Sequence, residues 1–186
     1  MTQIPAANTD KQPPHRHPDA GDCILFGSIT LLGVGLDLWS KQAVFTWLQS
    51  RLVPEYSLID GFLQFIVREN TGAAFSLFAG MTWMFIAISI IALLVLNTLL
   101  VLGKLTPRPT LTALACINAG IVGNLYDRLF NEGRVRDFID VYVGSYHWPT
   151  FNVADSLLCI GVGILMLVSF TTPTGQTPAS PQTKAS

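Results

Sequence analysis

Gly123-Asn124-Leu125-Tyr126-Asp127-Arg128, Asp137-Phe138-Ile139-Asp140 and Phe151-Asn152-Val153-Ala154-Asp155-Ser156 are three pieces of one stretch, and its reading decides the fold. It lies between two apolar runs that read as lipid-embedded helices, and it sets Asp127, Arg128, Asp137, Asp140 and Asp155 beside them. Ionisable side chains at membrane depth are costly and are mostly kept for chemistry. Two of these acids, Asp137 and Asp155, make a candidate dyad of the aspartic-protease type at a membrane surface.

The surrounding composition is that of a membrane protein. Half of the 186 residues (50%) are hydrophobic, 12% are charged, and the mean hydropathy is +0.46. A formal net charge of -1 gives no electrostatic reason to expect nucleic acid. Cys23, Cys116 and Cys159 each sit in an apolar run without CxxC or Cys/His spacing. They read as small buried core residues, not as disulfides or metal ligands.

Four hydrophobic segments follow one another: about Asp22 to Trp39, about Met81 to Leu102, Arg108 to Asp127, and about Val153 to Thr172. Four crossings would return both ends of the chain to one side. A crossing takes about 20 residues, and the run from Leu157 to Phe170 is too short alone at about 1.5 Å per residue. The fourth helix must therefore draw Asn152 and Asp155 to the boundary, and the first must do the same with Asp37. Asp127 ends the third segment on that same side. The loop holding Lys104 and Arg108 carries no acid, which favours it as cytoplasmic and puts the acids on the extracytoplasmic face. Residues 1–21, rich in Pro with His15 and His17, and 173–186, rich in Thr, Pro and Ser, read as disordered tails.

The one sizeable piece outside these segments is 41–80. Val44, Phe45, Trp47 and Leu48 are spaced as in an interfacial amphipathic helix. Phe62 to Arg68 is aromatic and β-branched and reads as a strand, followed by Asn70-Thr71-Gly72-Ala73-Ala74-Phe75-Ser76. In the third segment Ala115, Ala119 and Gly123 recur every four residues, a small-residue stripe for close helix packing. Asn124 and Arg128 share a face there, one turn apart.

Each acid also has a plainer reading. Asp155 fits a capping carboxylate three residues after an Asn152 N-cap, and Asp137 and Asp140 fit loop charges paired with Arg134 and Arg136. The chemistry favours the dyad. Two close carboxylates cannot both ionise, so one keeps a proton while the other acts as base on a shared water. Neither HExxH nor GxSxG is present, and His147 lies in a Tyr-His-Trp-Pro loop that reads as an interfacial aromatic anchor. A proton-coupled transporter is the alternative, but it calls for ionisable groups near the midplane between matched repeats, and no repeat is visible.

Taken together, these stretches resemble the lipoprotein signal peptidase (signal peptidase II) family. Asp37-Leu38-Trp39-Ser40-Lys41 resembles its first motif and Asn70 to Ser76 its second. Gly123 to Leu129 resembles the third, Asp137 to Asp140 the fourth, and Phe151 to Ser156 the fifth. The resemblance runs from about Ile24 to Phe170. It implies an α-helical membrane protein over 22–172, with four transmembrane helices and a small extracytoplasmic β-cradle at about 41–80. It implies a monomer in the bacterial inner membrane with both termini cytoplasmic. It also implies cleavage of diacylglyceryl-modified prolipoproteins just before the lipidated cysteine, in contact with membrane lipids and without metal or cofactor. Asp137 and Asp155 are the implied catalytic pair, with Asp37, Lys41, Asn70, Gly72, Asn124, Arg128 and Asn152 in support. Arg136 stands where the family more often has an apolar residue, and Glu69 precedes Asn70.

Overall fold

The computed structural model describes residues 18–51, 55–72, 80–103 and 107–171. Helix α1 (Ala20–Ser50) opens on Asp19, whose carboxylate accepts the Asp22 N–H at 2.8 Å while Asp22 accepts the Asp19 N–H at 3.3 Å. This reciprocal cap satisfies two donors that the first turn leaves open. The helix runs 31 residues without a break. The stretch from Lys41 to Leu48, expected as a separate interfacial helix, is therefore the end of α1, because no Gly, Pro or competing cap follows Trp39 to stop it.

Helix α2 (Thr82–Val101) buries none of its residues, as its uniformly apolar sequence allows in lipid. Its Asn97 amide donates to Asn118 Oδ1 at 3.2 Å, and Asn118 donates on to Thr30 Oγ1 at 3.5 Å. Such bonds between helices are modest but directional in a bilayer. Helix α3 (Arg108–Phe130) is central, touching α1, α2 and α4 (Val153–Thr171). Its small residues make this possible: a Cβ on Gly120 would stand 2.5 Å from the Ala154 carbonyl oxygen. Helices α1, α2 and α4 are long and apolar enough to cross a membrane, with mean hydropathies of 1.6, 2.7 and 2.2. The expected tails fall mostly on residues 1–17 and 172–186, outside the described residues.

Strands β1 (Glu55–Ile59), β2 (Leu63–Asn70), β3 (Val135–Val143) and β4 (Tyr146–His147) form one antiparallel sheet in that order. The expected cradle at 41–80 supplies only half of it. The other half comes from 135–147, where the alternating Val135, Ile139, Val141 and Val143 are good strand formers. Phe138 on β3 and Phe65 on β2 pack edge to face, 5.6 Å apart, over Val44, Phe45 and Leu48 of α1. Each such buried side chain contributes about 1.5–3 kcal/mol. This contact fixes the sheet on the end of α1. Cys116 is buried as expected, whereas Cys23 and Cys159 are exposed.

Candidate active site

Because side chains alternate along a strand, packing Phe138 onto α1 turns its neighbour Asp137 the other way, into a cavity of about 640 Å³. Asp155, in the first turn of α4, lines the same cavity, as do Asn70, Gly72, Asn124 and Arg128. Its opposite wall is apolar, built from Trp148, Phe151, Leu158 and Ile160.

Three amides hold the two carboxylates. Asn152 donates to Asp137 Oδ1 at 2.7 Å and Asn70 to Asp137 Oδ2 at 3.3 Å. Asn124 donates to Asp155 Oδ1 at 2.8 Å, and the Asn152 backbone N–H to Asp155 Oδ2 at 3.2 Å. Each amide oxygen is occupied elsewhere, which fixes the direction of each NH₂. Asn70 Oδ1 accepts the Gly72 N–H at 2.9 Å, and Asn152 Oδ1 the Asp155 N–H at 3.0 Å. Asn124 Oδ1 accepts from Lys41 Nζ and from Asn152, both at 3.2 Å. Asp155 is thus also the capping carboxylate that its spacing from Asn152 suggests, with Oδ1 left for Asn124. Burial first, and then the charge of Asp155, push the Asp137 carboxyl up to about 7; Asn152, Asn70 and Lys41 oppose the rise.

Behind this layer lies a second pair of acids. Asp37 and Asp127 are fully buried on either side of Lys41, at 2.7 and 3.2 Å. Asp37 Oδ1 accepts the Ala154 N–H at 2.8 Å, a carboxylate on the first turn of α4 where the helix dipole favours it. Gly123 makes room, since a Cβ there would stand 2.5 Å from Asp37 Oδ2. Arg136 takes the far side of Asp127 at 2.7 Å. Arg134 pairs with Glu69 and Glu132. Neither arginine serves Asp137 or Asp140, so the loop-charge reading is replaced: both acids are buried on β3.

Arg128 donates from Nη2 to the Gly72 carbonyl at 3.1 Å and lies over the Phe85 ring, 4.9 Å from its centre. Its buried Nε has no hydrogen-bond partner among the described residues. Asp140 holds Gln64 at 2.6 Å and His147 Nδ1 at 2.9 Å, away from the cavity's polar groups. His147 also stacks on Tyr142, so the expected anchor loop is tied into the sheet. Sequence reasoning missed the link from Asp127 to Arg136, nine residues on across a turn, which no spacing rule signals.

The fold and cavity thus set two amide-held carboxylates beside long apolar helices of membrane-crossing length. The signal peptidase II family model matches residues 29–171, and the chain belongs to that peptidase family. It is 38% identical over 149 residues to a lipoprotein signal peptidase of Francisella tularensis subsp. novicida, covering 77% of this chain and 90% of that one. Against a lipoprotein signal peptidase of Halalkalibacterium halodurans it is 36% identical over 144 residues, with the same coverage. A solved bacterial membrane enzyme superposes with a TM-score of 0.72 at 27% identity, over 90% of this chain and 99% of the other.

Proposed function

We propose that this protein is an aspartic endopeptidase that removes the signal peptide from diacylglyceryl-modified prolipoproteins, cutting just before the lipidated cysteine. The observation that carries the reading is the setting of Asp137 and Asp155: two carboxylates in one cavity with amides as their direct partners. Amides position a carboxylate without discharging it. The pair therefore works with one proton between them. Asp137 holds that proton, and its partner takes one from a water whose oxygen attacks the scissile carbonyl. The Asp137 proton passes to the developing oxyanion; Asp155 then gives the proton it took from water to the amine nitrogen as the C–N bond breaks, and Asp137 takes a proton back from the collapsing gem-diol, which restores the pair. The oriented NH₂ groups of Asn70, Asn124 and Asn152 keep both acids in place at no further ordering cost.

The half-apolar cavity suits a peptide that is already anchored in the bilayer. Its acyl chains bring about 0.8 kcal/mol per buried CH₂ to that anchoring. In this reading α3 is a fourth crossing, both termini are cytoplasmic, and the site lies at the extracytoplasmic face of the inner membrane. On the same reading the enzyme acts as a monomer, and the site as described asks for no residue from a second copy.

The test is cleavage of a lipidated prolipoprotein by the purified protein, read as the shifted product. Asp137→Asn and Asp155→Asn should each lose at least about 10³-fold in rate while still extracting and folding as the parent does. Full activity in either variant would sink the dyad. Equal rates on lipidated and unmodified precursor would refute the substrate.

A further inference from the structure

Asp127 is buried to 0% exposure, and its two oxygens receive four donors. Lys41 Nζ and the Arg136 backbone N–H reach Oδ2 at 3.2 and 2.9 Å. Arg136 Nη2 and Nε reach Oδ1 at 2.7 and 3.2 Å, and Nη1 continues to Gln42 Oε1 at 3.1 Å. Lys41 is equally committed. Its ammonium makes ion pairs with Asp37 and Asp127 at 2.7 and 3.2 Å and donates a hydrogen bond to Asn124 Oδ1 at 3.2 Å. The cluster is neutral only if Arg136 is counted: Asp37 and Asp127 against Lys41 and Arg136.

We propose that Arg136 is a positioning residue for the dyad: by neutralising Asp127 it leaves Lys41 on Asn124, and so keeps the Asn124 amide aimed at Asp155. An apolar residue at 136 strips Asp127 Oδ1 of both side-chain donors. A buried, half-satisfied carboxylate then draws the ammonium toward itself. Asn124 Oδ1 loses its charged donor and keeps only Asn152, so the amide is held less firmly and the bond to Asp155 Oδ1 loosens. The charged groups around the dyad are Asp37 and Lys41 from α1, Asp127 and Arg128 from α3, Arg136 from β3, and, from β2, Arg68 as the register partner of Asp137 and Glu69 as that of Arg136. Lys41 is the cation that opposes the raised proton affinity of Asp137. Moving it away raises that affinity, so the pH range of activity moves up.

This inference rests on the dyad reading above, and Asp137→Asn run in parallel separates the two. The experiment is the pH profile of kcat and KM for the full chain on lipidated precursor. Arg136→Leu should lose about tenfold or more in kcat with little change in KM, and both limbs of its profile should move up by about half a pH unit. Arg136→Lys keeps the charge and should keep the limbs in place. Asp127→Asn/Arg136→Leu removes both charges together and should return the limbs to their original positions. Unmoved limbs in Arg136→Leu overturn the proposal, as does a double variant shifted as far as the single one. Should Arg136→Leu fail to fold, the double variant decides alone: folded with the original limbs it supports charge matching, and unfolded or shifted it ends it. An active Asp137→Asn would sink the dyad reading, whereas an inactive one with unmoved Arg136→Leu limbs sinks only this inference.

Discussion

The molecule sets two pairs of carboxylates in adjoining layers and treats them in opposite ways. Asp37 and Asp127 are packed around Lys41, with Arg136 closing the far side of Asp127. Asp137 and Asp155 receive hydrogen bonds from Asn70, Asn124 and Asn152. The residue type is the same and Asp137 is nearly as deep as Asp37 and Asp127, with Asp155 half-buried beside it, so the partners do much to decide the chemistry. A cation beside a carboxylate fixes its charge, and such a pair holds elements together. An amide supplies geometry and leaves the proton negotiable. Asn124 and Asn152 join the two layers, since Lys41 and Asn152 both donate to Asn124 Oδ1.

The largest effect expected from breaking this arrangement is on the cation layer. Lys41→Met leaves Asp37 facing Asp127, with Arg136 on Asp127 alone and the Ala154 N–H on Asp37. Removing one partner of a buried ion pair costs about 3–5 kcal/mol, so thermal unfolding in detergent should show a large loss of stability together with loss of activity. A variant as stable as the parent would mean that these acids are held by something other than charge.

Sequence reading reached α2, α3 and α4 closely because their signals are local, whereas α1 runs on to Ser50, past the Trp39 end expected for it. Met81 and Leu102 bracket α2, and Val153 starts α4 after the Asn152 cap. The dyad layer was legible as residues but not as geometry. Asn70, Asn124 and Asn152 stand in separate motifs, and only the pairing of Asn70 with Val135 in the sheet brings the first of them to Asp137. Strand β3 itself was hidden. Asp137 and Asp140 drew the reading toward chemistry or loop charge, while the Val and Ile residues between and beyond them were setting a buried strand. Cys159 was read as core because apolar surroundings in sequence do not distinguish a packed helix face from one that lines a cavity.

Arg128 sharpens the comparison, because it is a cation placed on the amide side. It lines the cavity but donates to the Gly72 carbonyl, and its buried Nε has no hydrogen-bond partner among the described residues. A guanidinium offers a planar fork that an ammonium lacks. If Arg128 orients the substrate or its loop, Arg128→Lys should lower turnover by about 30- to 100-fold, roughly 2–3 kcal/mol of barrier, with stability nearly unchanged. Retained turnover would instead mark it as an arginine whose charge alone matters, reaching toward headgroups. Turnover and unfolding measured on the same preparation separate the two.

The smallest effect has the most telling sign. The Asp137 carboxyl, pushed up to about 7, keeps its proton in the folded protein well above the ordinary value of 3.8 at which the unfolded chain releases it. Between those two pH values the unfolded state binds fewer protons, so stability falls as pH rises and levels off above about 7. Asn at 137 does not titrate and carries no such decline. Asp137→Asn should therefore match the parent near pH 4 and exceed it by about 1–2 kcal/mol at pH 8, less than a lone group shifted this far would give because the two acids titrate as a pair. Asp127→Asn should do the reverse and destabilise the fold at neutral pH, since it leaves Lys41 and Arg136 with one acid between them. Unfolding of both variants at pH 5 and pH 8 is the measurement. An Asp137→Asn protein less stable than its parent at pH 8 would place Asp137 with the structural acids and erase the distinction between the two layers.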